Sequence, residues 1–316
     1  MSRELEYSVV DVFAERALEG NPLAVFHDGR GLTDIEMQAL ARETNLSETT
    51  FVLPSGDPDR ERHEGVRVRV FTTQEELPFA GHPTLGTASW LQRNYEPVKG
   101  MQRVTLRLNI GPIPVDFDEP RLEDGSVFGT MRQNDPVFGT EHDRAEVASV
   151  LGLAEADLLA GYSPQNVSTG NTFCMVALRS VEVLSQLAIP QRESTVWLQA
   201  KGARWFYCIA PQTRAEMDTP ARWRARMQFY SAEDPATGSA AGPCIAWLVR
   251  TGLAASGKPV EIHQGVEIRR PSRLVVQASE GPEGIYEVKV AGRTIPVAKG
   301  RFFLPAVTSY SQGVEP

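Results

Sequence analysis

Glu233-Asp-Pro-Ala-Thr-Gly-Ser-Ala-Ala-Gly-Pro-Cys-Ile-Ala-Trp-Leu248 sets a pair of carboxylates, a turn of small residues and the start of an apolar helix side by side. Thr237, Gly238 and Ser239 let a backbone come close to a ligand, and a helix beginning there aims its free N–H groups and positive dipole end at that ligand. A small anion, most simply a carboxylate, suits such a place. Asp234 would stand on the lip of the same pocket, where a carboxylate beside a bound anion is electrostatically costly unless it has a task. Asp, Ser and Gly are also ordinary capping residues, so one such stretch taken alone reads equally well as a capped helix start.

A second version lies upstream, Phe79-Ala-Gly-His-Pro-Thr-Leu-Gly-Thr-Ala-Ser-Trp-Leu-Gln-Arg93. Shifted onto the first, Gly81 falls on Gly238, His82 on Ser239, Trp90 on Trp247, Leu91 on Leu248 and Arg93 on Arg250. A weaker pair precedes each copy: Gly20-Asn21 before Pro-Leu-Ala-Val-Phe, and Gly170-Asn171 before Thr-Phe-Cys-Met-Val, each a turn leading into a run of strand character. Two landmarks in the same order suggest a duplicated domain. If the halves face one another, both helix starts converge on one cleft, with His82 from the first half and Asp234 from the second.

Composition narrows the function. At 316 residues the chain can bury two domains' worth of core. Its net charge of −8, with no long basic run, argues against a nucleic-acid or membrane-surface role. No apolar stretch reaches membrane-spanning length, and Met-Ser-Arg-Glu-Leu-Glu-Tyr7 lacks the blocks of a signal peptide, so the chain reads as soluble and cytoplasmic. Cys174, Cys208 and Cys244 are far apart and read as buried filler. The five histidines are scattered, and neither a Gly-rich dinucleotide turn nor a phosphate loop with its lysine is present. No cofactor and no metal are therefore expected.

In chain order, Tyr7–Phe13 and Leu23–Phe26 read as strands. Thr33 and Glu36 fit a capping box that starts a helix over Asp34 to Thr44, with Ile35, Met37, Leu40 and Ala41 on its buried side. The helix should stop at Asn45, and Thr49–Leu53 has strand content. Glu48 stands at that helix-to-strand junction, where it either bends on the surface or is carried inward, gaining the raised pKa that a proton-transferring glutamate needs. Arg60–Glu64 reads as a charged, solvent-facing loop, Val66–Val70 as a half-buried strand with arginines outward, and the alternating Arg222, Arg224 and Arg226 as one solvated face. Val104–Ile110 and Gly125–Met131 read as strands, with Pro112–Asp124 as a margin between halves. A helix over Arg144–Leu151 opens the second half, and Phe173–Leu178, Trp205–Ala210 and Met227–Tyr230 are strand candidates. The chain from Pro259 to Leu304 is β-rich, its last strands able to return to the first half, and Pro305–Pro316 reads as a frayed tail.

Asp11-Val-Phe with Glu19-Gly-Asn-Pro-Leu-Ala-Val, Asn45-Leu-Ser-Glu-Thr-Thr-Phe, Glu76-Leu-Pro-Phe-Ala-Gly-His-Pro-Thr-Leu-Gly-Thr-Ala and Glu233-Asp-Pro-Ala-Thr-Gly-Ser-Ala-Ala-Gly-Pro together resemble the phenazine-biosynthesis PhzF-like family, and Gln264-Gly-Val-Glu-Ile-Arg-Arg-Pro-Ser resembles its late segment. The resemblance runs from about Tyr7 to Phe303. It implies an α+β, diaminopimelate epimerase-like fold of two pseudo-symmetric domains, each a curved mixed sheet around a central helix. The first would take residues 1–122 with a returning strand at about 298–316, the second residues 123–297. It also implies a cofactor-free isomerase, commonly a homodimer, acting on a small carboxylated cyclic substrate such as trans-2,3-dihydro-3-hydroxyanthranilate on the way to phenazines. By the same resemblance Glu48 is the proton shuttle and His82 and Asp234 hold the substrate's polar groups. Ser47 joins in substrate binding, and Ser239 with Gly81 and Gly238 cradles its carboxylate. Epimerases of this fold use two facing cysteines, whereas here the paired turns carry Gly81-His82 and Asp234-Pro-Ala, so a two-thiol racemase is not expected. Arg269 stands where the family often has glycine. A catalytically idle binding protein, or a related proton-transfer or hydrolytic step in another secondary-metabolite pathway, are the other readings.

Overall fold

A computed structural model of the chain describes residues 3–117, 124–213, 221–229 and 232–305. The first half is built from β1 (Arg3–Val12), β2 (Asn21–Phe26), β3 (Glu48–Leu53), β4 (Val66–Thr72) with the short β5 (Glu76–Leu77), β6 (Arg103–Leu108), β7 (Gly111–Asp116) and β8 (Val127–Arg132). Its helices are α1 (Asp34–Thr44), α2 (Pro58–Glu64) and α3 (Gly81–Asn94). The second half contains β9 (Val137–Glu141), β10 (Gln165–Ser168), β11 (Thr172–Ala177), β12 (Trp205–Thr213), β13 (Ala221–Arg226), β16 (Val260–Gln264), β17 (Ser272–Gly281) and the 21-residue β18 (Gly284–Leu304), while β14 (Gln228–Phe229) and β15 (Ala232–Glu233) form a separate ribbon. Its helices are α4 (Arg144–Val150), α5 (Val181–Gln186), α6 (Gln191–Lys201) and α7 (Gly238–Arg250).

Strand pairing runs β1-β2-β3-β4-β6-β7-β8-β18 in the first half, and β18 returns to β1, so that sheet closes on itself. From β18 the ladder continues β17-β16-β13-β12-β11-β10-β9 through the second half. Inside the first sheet lies α3, with Gly81–Leu91 buried throughout. Against the second lies α7, buried from Gly238 to Val249. A helix apolar on all sides has no solvent face to offer, so each becomes the axis around which a sheet curves. The duplication read from the sequence is present in these two helices, which begin at the aligned Gly81 and Gly238.

Four local expectations change. Ile35 is exposed, because the capping box and a pairing with Arg3 fold the Glu36 carboxylate inward and turn its neighbour out. Arg60–Glu64 is helical rather than a loop, capped by Asp57, and its Glu61 is buried against Tyr95 Oη at 2.7 Å. Gly111–Asp116 is a strand paired with β6, not a margin; the divide at 122/123 and residue 230 lie outside the described residues, as do residues 306–316. Hydrogen bonds tie β8 both to β7 and to β18, so we propose the divide after β8. The arginines of β13 are paired, and only Arg222 keeps a solvated side chain: Arg222 bonds Glu261, Arg224 bonds Glu267, and Arg226 bonds Glu233 and three carbonyls of the 184–187 stretch. Arg269 has φ 60°, the left-handed conformation that glycine meets at least cost.

Candidate active site

Each central helix starts at a turn without a side-chain cap and with no acidic residue in its first turn. Their first N–H groups therefore lack intrahelical partners and carry the positive dipole ends. Gly81 and Gly238 lie against one another: a Cβ on Gly81 would sit 2.4 Å from the carbonyl carbon of Gly238 and from the amide nitrogen of Ser239. Only two glycines allow the helix starts to meet so closely. Around this contact is a narrow cavity of about 10 Å³ lined by both starts and by Glu48, His82, Asp234 and Trp205. An anion placed there would meet N–H groups from both halves.

The edge of β3 carries Glu48 into the cavity wall, where it is 5 % exposed, so the inward alternative of the sequence is the one realised. Its Oε2 has no hydrogen-bond partner and lies 3.6 Å from His82 Nδ1. Burial raises the Glu48 pKa well above the usual carboxyl range, and the nearby Asp234 charge adds to it. Burial drives His82 the other way, down to about 3, so its ring is neutral and its contact with Glu48 is not an ion pair. His82 Nε2 is buried without a partner as well.

Asp234 has a different environment. Its Oδ1 accepts from Asn21 Nδ2 at 2.8 Å and Ser47 Oγ at 3.2 Å, and its Oδ2 from Thr237 Oγ1 at 2.6 Å. Burial pushes its pKa up and those three donors pull it back. Two carboxyls near one another cannot both ionise freely; the donors place the negative charge on Asp234 and leave the proton on Glu48. Ser47 therefore acts on Asp234 and is not itself part of the cavity wall, whereas Ser239, Gly81 and Gly238 are.

Sequence reasoning missed two residues that organise this arrangement. Asn21 donates across the halves to Asp234 and to Ala236 O at 2.9 Å, and stands 3.2 Å from His82 Nδ1. Its repeat partner, Asn171, donates to Phe79 O at 3.3 Å, and Phe79 is the position aligned with Ala236. The repeated Gly-Asn pair was the visible signal; read as a turn and strand start, it hid a crossed pair of amide hydrogen bonds. Gln264, fully buried, donates to Asp234 O at 2.8 Å and Thr237 Oγ1 at 2.9 Å and accepts from Thr237 N and Tyr207 Oη, both at 3.1 Å. It fixes the turn from which α7 springs.

Two pseudo-symmetric sheets, each sending a helix start to one shared cavity, are the arrangement of the diaminopimelate epimerase-like α+β class. A hydroxyproline epimerase from Agrobacterium vitis shares this fold at 12% identity, with a TM-score of 0.60 over 96% of this chain and 94% of its own. The chain belongs to the phenazine biosynthesis-like protein family (PhzC-PhzF), matched over residues 10–300. It is 36% identical over 300 residues to a trans-2,3-dihydro-3-hydroxyanthranilate isomerase of Pseudomonas aeruginosa, covering 94% of this chain and 99% of the relative. A solved structure from the same species, described as a predicted epimerase, is 35% identical with a TM-score of 0.78, covering 94% of this chain and 99% of that one. By this kinship the chain is an isomerase. Among the described residues no helix is long and apolar enough to cross a membrane.

Proposed function

We propose that the protein isomerises a small, carboxylated, cyclic and electron-rich substrate by a proton shift in which Glu48 takes a C–H proton and returns it at another carbon. Trans-2,3-dihydro-3-hydroxyanthranilate is the substrate we would try first, since it is the one named for the relative at 36% identity. The observation that carries the reading is the solitary Glu48 carboxyl: buried, without a hydrogen-bond donor, and aimed into a cavity whose other wall offers two helix starts. A carboxylate deprived of donors and water is a stronger base than one on the surface, which a weakly acidic C–H bond requires.

The remaining groups divide the work. N–H groups of the Gly81-His82 and Gly238-Ser239 turns would hold the substrate carboxylate. Asp234 would take an ammonium group, and that cation would offset the charge that adds to burial in keeping Glu48 protonated, so that binding itself shifts Glu48 toward the basic form. His82, neutral, can accept or donate a hydrogen bond through Nε2 to a hydroxyl. The electrons of the broken C–H bond pass into the adjacent diene, and the same carboxyl delivers the proton to a second ring carbon, so one group serves as base and then acid. A homodimer in the cytoplasm, serving phenazine-type antibiotic biosynthesis, completes the reading.

The test is incubation with trans-2,3-dihydro-3-hydroxyanthranilate in deuterated water, following absorbance and product mass, beside Glu48→Gln. Turnover should fall about 10²–10⁴-fold in the variant. Equal turnover by both would overturn the assignment of Glu48, and no turnover by folded wild type would overturn this substrate.

A further inference from the structure

We propose that Arg270 is a positioning residue of this cavity: reaching from the second half, it fixes the turn that carries Asn21 and so sets the hydrogen bond between Asn21 and Asp234. The inference rests on the reading of the cavity as the catalytic site.

Arg270 lies in the turn between β16 and β17, and every acceptor of its guanidinium belongs to the first half. Nη2 donates to Asp11 Oδ1 at 2.8 Å and Glu19 O at 2.7 Å, Nη1 to Leu18 O at 2.8 Å, and Nε to Gly20 O at 3.0 Å. Three successive carbonyls gathered on one planar fork is a pattern arginine can serve and lysine cannot. Pro271 adds a fifth tie by accepting from Gly20 N at 2.9 Å, and Asp11 Oδ2 accepts from Leu18 N at 2.6 Å. The turn held this way is unfavourable by itself. Leu18 has φ 71° and Gly20 φ 69°, and a Cβ on Gly20 would lie 2.4 Å from Val12 O. Such a conformation persists only where its surroundings over-determine it.

The next residue is Asn21. Its amide crosses back to Asp234 Oδ1 and Ala236 O, so both of its protons are committed to the second half. The acceptor side is held by the same segment that holds the donor side: Gln264 Nε2 bonds Asp234 O and Ser272 Oγ bonds Pro235 O at 2.9 Å. The stretch from Gln264 to Ser272 thus grips both ends of the Asn21–Asp234 hydrogen bond. Arg270 does not line the cavity, and its influence on chemistry runs through Asn21.

The experiment is a carbon-13 NMR titration of the Asp234 carboxyl, assigned by difference with Asp234→Asn, in wild type, Arg270→Lys, Asn21→Ser and the double variant. The titratable groups around Asp234, namely Glu48, Glu233, His82 and Tyr207, are the same in every variant, and the Asp234→Asn control changes only Asp234 itself. Arg270→Lys should raise the Asp234 midpoint by about one unit, a tenfold change in proton affinity. Asn21→Ser should do the same, and the double variant should go no further, because both substitutions break one hydrogen bond. Asp11→Asn, which loosens one of the four guanidinium contacts, should shift the midpoint in the same direction by less and serves if Arg270→Lys does not fold. An unchanged midpoint in the folded single variants, or shifts that add, overturns the proposal. With the substrate above, kcat should fall about tenfold at little change in KM, and the acid limb of its pH profile should follow the Asp234 midpoint. Failure of wild-type turnover would count against the substrate reading alone, since the titration needs none.

Discussion

Gly81 and Gly238 touch at their backbones, and that contact is where the two halves of the molecule share a cavity. A methyl group on Gly81 would meet main-chain atoms at 2.4 Å, which have no rotamer to escape into. Gly81→Ala should therefore cost about 2–4 kcal/mol by denaturant unfolding and open the cavity. Gly238→Ala, whose Cβ meets the Phe13 ring at 3.1 Å and Gly81 at 3.2 Å, should cost less. Equal, small effects at both positions would contradict this packing.

The pKa directions predict a pH dependence of stability. Glu48 and Asp234 have folded values above their ordinary 4.5 and 3.8, so the folded state holds protons that the unfolded state has released. Their contribution is full below those ordinary values and is lost as pH rises through the folded ones. His82, lowered from 6.5 to about 3, acts in the opposite sense over that interval and is silent above it. Asp234, raised to about 6, gives up its share by neutral pH, and the Glu48 share is the part of the decline that removing its carboxyl abolishes. Glu48→Gln should flatten it and should be more stable than wild type at pH 8, as the proposed catalytic role of a carboxyl held where folding does not favour it implies. A variant less stable than wild type at pH 8 would remove that strain from the account.

Gln264 and Tyr207 provide a matched comparison. Gln264→Leu keeps the volume but strands Asp234 O, Thr237 N and Tyr207 Oη in the interior, and should cost about 2–4 kcal/mol together with activity. Tyr207→Phe leaves Thr237 N on Gln264 Oε1 and should cost only about 1 kcal/mol, with near-normal turnover. Chemical denaturation with a paired rate assay separates the two.

Arg269 occupies a left-handed position at φ 60°. Arg269→Gly should remove that strain and raise stability by up to about 1 kcal/mol without altering turnover. A loss of activity would show that the Arg269 side chain itself contributes.

How much of this was legible in the sequence depended on whether a signal was local. The capping box of Thr33 and Glu36, the left-handed stop at Asn45 and the paired helix starts are written in adjacent residues and appear where they were read. Ile35 was misplaced because spacing alone cannot tell that the Glu36 carboxylate is drawn inward by its cap and by Arg3. The Arg60–Glu64 helix was hidden by its charge, since only contact with Tyr95 shows that Glu61 is buried. Asn21 and Asp234 lie 213 residues apart, and no periodicity joins them. Gln264 gave no signal as a ligand holder; its partners assemble only once β12, β16 and the start of α7 are side by side.

The 21-residue β18 pairs through its first part with β17 and β8 and through its last part with β1, Arg3 facing Leu304. During synthesis β1 must wait for β18 before its sheet can close. The N-terminal half alone should consequently emerge with an open sheet edge beside β1, a surface prone to pairing with other chains. Cutting the gene near its middle would yield two sticky fragments rather than two domains, whereas co-expressed pieces could recover the fold by strand exchange. The molecule is duplicated in design and indivisible in assembly.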